Sequence, residues 1–190
     1  MIEAEVKLKI HSAEETEKKL LEMGFHYQAS IYQKDSYFDT VDGKIRLGGE
    51  ALRIRTIKDL SSAGTTQVFI TFKGQKLDTV SMTRQELETE VKDGQVLEEI
   101  LGALGYHAVP PSVMKIRKEY ALSDAEFGEI HAVIDTVEGL GGFLELEILT
   151  EEQSREEALN RISILLEQLD YSLADTTTNS YLSMLQGVED

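Results

Sequence analysis

The sequence has no cysteine, no long apolar run and few basic residues. Without cysteine there is no disulfide framework and no thiolate chemistry. No apolar segment approaches the ~20 residues that span a bilayer, and no basic-then-apolar leader opens the chain. We therefore expect a cytoplasmic protein with no membrane partner.

The chain is strongly acidic. Its 19 Lys and Arg residues face 35 Asp and Glu residues, which gives a formal net charge of −16. Because a duplex is bound largely through neutralisation of its phosphates, this charge argues against nucleic acid as a partner. The bases are concentrated on predicted strands, a pattern that favours a small, strongly anionic ligand instead. The histidines lack metal-type spacing, and no Walker-type loop or GxGxxG motif is present.

The sequence shows no domain linker, and we expect one domain over 1–185, followed by a tail at 186–190. A length of 190 residues, 41% of them hydrophobic, is ample for a single core. Alternation with period two predicts eight strands, at 2–10, 25–38, 51–57, 67–74, 83–91, 113–120, 130–137 and 143–148. Helices are predicted over 13–23 after the N-cap Ser12, from the N-cap Asp93 to Leu104, and over 152–169 and 180–185.

Two segments are predicted to interrupt these elements. The glycines of 40–50 indicate a loop. Pro110 and Pro111 are expected to break the chain before the sixth strand.

The first strand places Glu3, Glu5, Lys7 and Lys9 on one face. For this strand alone, a charged face in water is the simplest interpretation. At least six strands share the pattern, however, and some carry bases while others carry acids. If these strands formed a barrel with the charged faces inward, the buried charges would have to be paired or to bind a ligand. A polyphosphate held by the bases and divalent cations held by the carboxylates would satisfy this requirement.

Five segments carry a family resemblance. They are Glu3-x-Glu5-x-Lys7, Leu52-Arg53-Ile54-Arg55, Thr71-Phe72-Lys73-Gly74, Lys115-Ile116-Arg117-Lys118, and Asp135 with Glu145-Leu146-Glu147. In this order they resemble the CYTH domain of the triphosphate tunnel metalloenzymes, over nearly the whole chain. Segments 135–147 and 180–185 are similar to those of the class IV adenylate cyclases. The resemblance implies an α+β fold, an antiparallel eight-stranded β-barrel that forms a tunnel, with helices packed outside.

The resemblance also implies roles for residues, carried over by position. Binding of Mg²⁺ or Mn²⁺ would fall to the acids Glu3, Glu5, Asp135, Glu145 and Glu147. Binding of the phosphates would fall to Lys7, Arg53, Arg55, Lys73, Arg84, Lys115 and Arg117. Some family members pair a tyrosine with the lysine at the Lys73 position to activate a water molecule. Lys73 and Tyr37 are therefore the candidate catalytic residues.

The activity implied first is that of a class IV adenylate cyclase, which makes cyclic AMP and pyrophosphate from ATP. A triphosphatase acting on inorganic, thiamine or nucleoside triphosphates is the enzyme alternative, because one architecture serves both reactions. A non-catalytic module that binds polyphosphate or nucleotide is the third hypothesis. A homodimer is compatible with a helical exterior.

Overall fold

The computed structural model describes residues 2–60, 64–76 and 84–188 of the chain. For Ile2, Glu3, Lys76, Arg84 and Gln85 it describes the backbone alone.

Within the described residues there are eight strands and five α-helices, and the strands and four of the helices follow the predicted order. The strands are β1 (Ile2–Lys9), β2 (His26–Thr40), β3 (Ala51–Asp59), β4 (Thr66–Lys76), β5 (Arg84–Val91), β6 (Tyr106–Asp124), β7 (Gly128–Val137) and β8 (Gly141–Thr150). The helices are α1 (Ala13–Glu22), α2 (Lys44–Leu47), α3 (Gly94–Ala103), α4 (Arg155–Gln168) and α5 (Tyr181–Gln186), with short 3-10 turns at Glu152–Ser154 and Leu173–Asp175. Within the described ranges, no helix is both long enough and apolar enough to cross a membrane.

The strands form one antiparallel sheet in the order β1-β8-β7-β6-β2-β3-β4-β5. The predicted α+β class, with eight antiparallel strands and helices packed on them, is confirmed. Within the described residues, the hydrogen-bonded ladder ends at β1 and β5 and is not closed.

The chain divides into two compact units. The first contains Met1–Ser30 and Lys115–Asp190, and the second contains Ile31–Met114. The long strands β2 and β6 each contribute residues to both units.

The core of the first unit lies on one side of its strands. Even-numbered residues of β1 and β8, such as Leu8, Leu144 and Leu146, are fully buried in one cluster with Ile162 and Leu166 of α4. Because side chains alternate along a strand, the odd-numbered residues point to the opposite face. Those are the charged positions of the sequence pattern.

The second unit has a smaller core. Phe38, Ile54 and Leu101 are buried there, and Val68 and Leu97 pack against them. Helix α3 therefore covers the aliphatic face of β2, β3 and β4. The odd-numbered residues of these strands again lie on the other side.

Both predicted N-caps are present. The Ser12 hydroxyl accepts from the backbone N–H of Glu15 at 3.2 Å. The Asp93 carboxylate accepts from the N–H of Val96 at 3.1 Å. Each cap satisfies one of the donors that the first turn of a helix leaves unpaired.

Two predictions about the connections were wrong. The 40–50 segment contains α2, because the carboxylate of Asp39 accepts from the N–H groups of Ile45 (2.8 Å) and Arg46 (3.1 Å) and holds the first turn. Strand β6 continues through Pro110 and Pro111 instead of beginning after them. Proline removes a ladder donor but keeps its carbonyl, so a strand continues where the neighbouring strand does not need that N–H.

Two isoleucines of α4 give a matched test of this core. Ile162 is 0% exposed, whereas Ile164 is 48% exposed. We expect Ile162→Ala to lower the free energy of unfolding by about 2–5 kcal/mol, because it leaves a cavity among packed side chains. Ile164→Ala should lower it by less than about 1 kcal/mol. Urea unfolding of the two variants measures the difference, and equal losses would contradict the assigned core face.

Candidate functional site

The register of the first unit brings its charged residues onto one face of the sheet. Arg117 lies opposite Asp135 in the β6–β7 pair, and Lys7 lies opposite Glu145 in the β1–β8 pair. We call this surface the Asp135 face. Its predicted site residues with described side chains are Glu5, Lys7, Lys115, Arg117, Asp135, Glu145 and Glu147.

Asp135 is the centre of a buried ion cluster. Its carboxylate is fully buried and accepts from Lys115 Nζ at 2.7 Å. Arg117 donates to the same carboxylate through Nε (2.8 Å) and Nη2 (2.7 Å), a bidentate pair. Arg117 Nη2 also lies 2.6 Å from Oε2 of Glu145. Two cations and two carboxylates therefore satisfy one another out of water.

The cluster shifts the pKa values of its members. Burial by itself would raise the pKa of Asp135, but the hydrogen bonds and charge of Arg117, and then those of Lys115, lower it to about 2. Burial and the neighbouring charge of Arg117 lower the pKa of Lys115 to about 8, in spite of Asp135 and Glu145. Both pKa values are lowered, because the charge of Arg117 favours the ionised carboxylate of Asp135 and disfavours the protonated ammonium of Lys115. Asp135 is ionised at neutral pH, and Lys115 is mostly protonated.

Tyr181 of α5 is a member of this cluster that the sequence did not predict as a site residue. Its hydroxyl lies 3.1 Å from Oδ2 of Asp135 and 3.0 Å from Oε1 of Glu145, so one proton is shared between two carboxylates. Lys7 Nζ and Lys115 Nζ lie 4.7 Å and 5.0 Å from the centre of its ring. Burial, followed by the charge of Glu145, raises the pKa of Tyr181 far above its usual value. The hydroxyl therefore acts as a fixed donor, and the ring contacts both ammonium groups.

The second unit repeats the bidentate pair. Arg55 lies opposite Asp35 in the β2–β3 pair and donates to it through Nε (2.7 Å) and Nη2 (2.6 Å). Asp35 was not among the predicted site residues, although its pairing with a predicted arginine follows from the register. We call this surface the Asp35 face. Its predicted site residues with described side chains are Tyr37, Arg53, Arg55 and Lys73.

The other cations of the Asp35 face are held by acids of β5. Arg53 Nη2 donates to the hydroxyl of Thr71 at 3.2 Å, and that hydroxyl donates to Glu88 at 2.7 Å. Lys73 Nζ lies 2.5 Å from Oε1 of Glu86. Acids of β5 therefore pair with bases of β3 and β4.

Tyr37 lies opposite Arg53, on the same face as Lys73 but with β3 between them. Among the described residues, no hydrogen bond joins Tyr37 to Lys73. Burial, followed by the charge of Asp35, raises the pKa of Tyr37. Tyr37 therefore keeps its proton at neutral pH and is not a base there, and its oxygen accepts from Arg53.

The acidic residues fit a hard divalent cation in their chemistry, since carboxylate oxygens are the ligands that Mg²⁺ and Mn²⁺ prefer. Glu5 lies directly opposite Glu147 in the β1–β8 pair, so a cation placed between them would contact both carboxylates. Over the described part of the chain, no three Asp, Glu or His side chains lie close enough to hold a metal unaided. Mg²⁺ commonly uses one or two carboxylates together with substrate phosphates, so the pair fits a metal that binds with its substrate.

The predicted residues thus fall into two groups, one on each unit. Asp135 and Glu145, predicted as metal ligands, bind cations of the protein. The side chains of Glu3 and Arg84 lie outside what the structure describes.

Removal of one carboxylate charge tests the ion cluster. We expect Asp135→Asn to lower the free energy of unfolding by about 3–5 kcal/mol near neutral pH, because it leaves buried cations with too few partners. Asp170→Asn is the matched control, since Asp170 forms an exposed pair with Lys19 that is worth less than about 1 kcal/mol. Chemical unfolding measures both losses.

The same variant has an expected pH dependence. The pKa of Asp135 in the folded state is lowered to about 2, so its contribution is present above the unfolded pKa of about 4 and is lost as the pH falls through about 2. The stability difference between the native protein and Asp135→Asn should therefore shrink between pH 4 and pH 2. A difference that stays constant over this range would contradict the ionised cluster.

The hydroxyl of Tyr181 can be tested without loss of the ring. We expect Tyr181→Phe to lower the free energy of unfolding by about 1.5–3 kcal/mol, the usual value of a hydrogen bond to a charged group. Tyr32→Phe is the control, because the Tyr32 hydroxyl makes no hydrogen bond within the described residues. Equal stability of the two variants in thermal unfolding would show that the hydroxyl does not hold the carboxylates.

Comparison with known proteins places this geometry in a family. The family model described as the CYTH domain matches residues 1–181. The MJ0240 protein of Methanocaldococcus jannaschii, named as a candidate adenylate cyclase, is 36% identical over 185 residues, which cover 97% of this chain and 98% of that protein. The adenylate cyclase CyaB of Aeromonas hydrophila is 28% identical over 155 residues, 81% of this chain and 72% of that one.

Solved structures of other proteins share the fold of this chain. The PH1819 protein of Pyrococcus horikoshii superposes with a TM-score of 0.79 at 31% identity, and the match covers 97% of this chain and 98% of that one. The candidate adenylyl cyclase HpAC1 of Hippeastrum, described as having a dominant triphosphatase activity, superposes with a TM-score of 0.67 at 20% identity, covering 98% and 96%. The paired cations and carboxylates therefore stand on a known scaffold, and this chain belongs to the CYTH domain family.

Proposed function

We propose that this chain is a metal-dependent enzyme that acts on triphosphates. The activity proposed first is that of a class IV adenylate cyclase, which converts ATP to cyclic AMP and pyrophosphate. Membership of the CYTH family and the 28% identity to an adenylate cyclase of Aeromonas hydrophila support this choice.

The observation that carries the proposal is the buried cluster around Asp135. A buried ion pair adds little stability compared with apolar residues of the same size, so its retention favours a functional role. The carboxylate holds Lys115 and Arg117 at fixed positions before any ligand is present. Within the described residues, the Nη1 group of Arg117 has no hydrogen-bond partner. Fixed ammonium and guanidinium donors are suited to phosphate oxygens.

The Asp35 face supports the same chemistry. We assign phosphate binding to Arg53, Arg55 and Lys73 there, and to Lys7, Lys115 and Arg117 on the Asp135 face. Arg84 is included in the proposal from the family pattern alone. Tyr37 and Lys73 are proposed as catalytic residues, Tyr37 as a hydrogen-bond donor because its raised pKa keeps it protonated.

The metal set is refined by the contacts. We assign Glu5 and Glu147 as carboxylates that would hold Mg²⁺ or Mn²⁺, with Glu3 as a further candidate. Asp135 and Glu145 would mainly orient the cations that contact them. When bound, the metal would neutralise negative charge on the phosphate oxygens.

Cyclisation forms a bond between the ribose O3′ and the α-phosphorus and breaks the bond to the oxygen that bridges to the β-phosphorus. Pyrophosphate leaves, and the 3′-hydroxyl proton passes to a base or to water. Because this chemistry is largely positioning and electrostatic stabilisation, the proposed role of the protein is to hold the phosphates. The same residues would stabilise attack by water, which is the triphosphatase alternative. The activity described for the Hippeastrum protein favours keeping that alternative.

Product analysis tests the proposal. The purified protein is incubated with ATP or with inorganic triphosphate, in Mg²⁺ or Mn²⁺, and the products are resolved by chromatography. We expect cyclic AMP and pyrophosphate from ATP. Orthophosphate without cyclic AMP would assign the chain to the triphosphatases. Absence of turnover with both substrates would leave a non-catalytic binding module.

Two variants test the residue assignments. We expect Lys115→Ala to weaken triphosphate binding roughly ten- to hundredfold, as for loss of a charge-assisted contact. Glu147→Ala should change the dependence of the rate on metal concentration, because it removes one of the two carboxylates proposed to hold the metal. Lys18→Ala, which removes an exposed lysine of α1, is the control and should match the native protein. Native activity of both site variants would show that these residues are not part of the site.

A further inference from the structure

The Asp35 face is ordered in rows across its strands. One row pairs Tyr37 with Arg53, the next pairs Asp35 with Arg55, and the next pairs Gln33 with Ile57. Phe69 of β4 lies opposite Arg55 and extends the middle row. Successive rows are about 7 Å apart, because side chains on one face recur every second residue.

Gln33 is a buried polar residue of this face whose side-chain oxygen has no hydrogen-bond partner within the described residues. It is 3% exposed, and its Oε1 atom has no hydrogen-bond partner in the structure as described. A buried amide without partners is destabilising and is uncommon in native proteins. Such a group is explained when a ligand supplies the missing hydrogen bonds.

A second unpaired atom lies on the same face. Arg53 is 7% exposed, and its Nε atom lacks a partner among the described residues. Gln33 and Tyr37, which pairs with Arg53, are four residues apart on β2, about 13 Å along the strand. The face therefore offers an unpaired donor at its cationic end and an unpaired acceptor at its other end.

The two ends of the Asp35 face differ in the charge and polarity of their side chains. Arg53, Arg55 and Lys73 make one end cationic. In the row of Gln33, the half-buried Ile57 comes next and the exposed Gln67 of β4 follows it. The half-buried Phe69 of β4 lies one row nearer the cationic end, opposite Arg55. A buried amide beside an aliphatic side chain, with an aromatic ring one row away, is suited to a nucleobase, since bases stack on aromatic rings. A glutamine amide can donate to N7 and accept from the 6-amino group of adenine.

We propose that Gln33, Ile57 and Phe69 form a base subsite that selects adenine over 6-oxopurines. This inference rests on the proposed function and names the residue that determines its base specificity. A 6-oxopurine presents two acceptors on the same edge, so the Gln33 carbonyl would stay unpaired. The phosphate chain extends from this subsite towards Arg53.

Equilibrium binding tests the subsite, with ATP, inosine triphosphate and inorganic triphosphate as probes and EDTA present to prevent turnover. We expect the native protein to bind ATP roughly five- to 150-fold more tightly than inosine triphosphate, the discrimination typical of one bidentate base contact. Gln33→Leu should bind both nucleotides equally and inorganic triphosphate as the native protein does. Its thermal midpoint should be unchanged or higher, because leucine leaves no unpaired polar atom.

Two further variants separate the contributions. Phe69→Leu should weaken ATP and inosine triphosphate together and leave inorganic triphosphate unaffected. Gln28→Leu is the control, because Gln28 is an exposed glutamine of the same strand. The proposal is overturned if the native protein does not distinguish the two nucleotides, or if Gln33→Leu keeps the native ratio. Failure of the proposed function would appear separately, as absence of turnover when metal is added.

Discussion

A buried carboxylate that fixes two cations is the interaction on which the charged face of the first unit depends. Asp135 holds Lys115 and Arg117 in hydrogen-bond geometry, and the Tyr181 hydroxyl completes the arrangement. Removal of these groups from water is unfavourable unless each finds a partner. In the second unit, Asp35 forms the same kind of bidentate ion pair with Arg55. Each unit therefore presents guanidinium groups whose orientation is set before a ligand binds.

The same strands carry both the apolar residues of the core and the charged residues of the opposite face. On β8, Leu144 and Leu146 are buried in the core, whereas Glu145 and Glu147 point to the charged face. A slip of one residue in the register would exchange the two sets. The apolar core therefore fixes the register, and the register in turn decides which acid faces which base. The packing of the core and the arrangement of the charges are coupled through this alternation.

Two buried polar atoms of the Asp35 face differ from its ion pairs, because they have no hydrogen-bond partner within the described residues. The cations of the Asp35 face contact carboxylates of the protein. Gln33 and the Nε atom of Arg53 are different, because nothing in the described structure satisfies them. In the proposed base subsite, their positions would set the direction of the ligand, with its phosphates towards Arg53 and its base at Gln33.

The local sequence pattern was enough to predict the eight strands, the N-caps Ser12 and Asp93, and the charged positions of the strands. Those features depend on residues that are neighbours in the chain or that repeat with period two. Tertiary structure decided which charges pair. Tyr181 is 46 residues from Asp135 in the chain, and no periodicity relates a helical residue to the strand face it contacts. The burial of Gln33 was also beyond prediction, because it depends on how strands far apart in the sequence pack together.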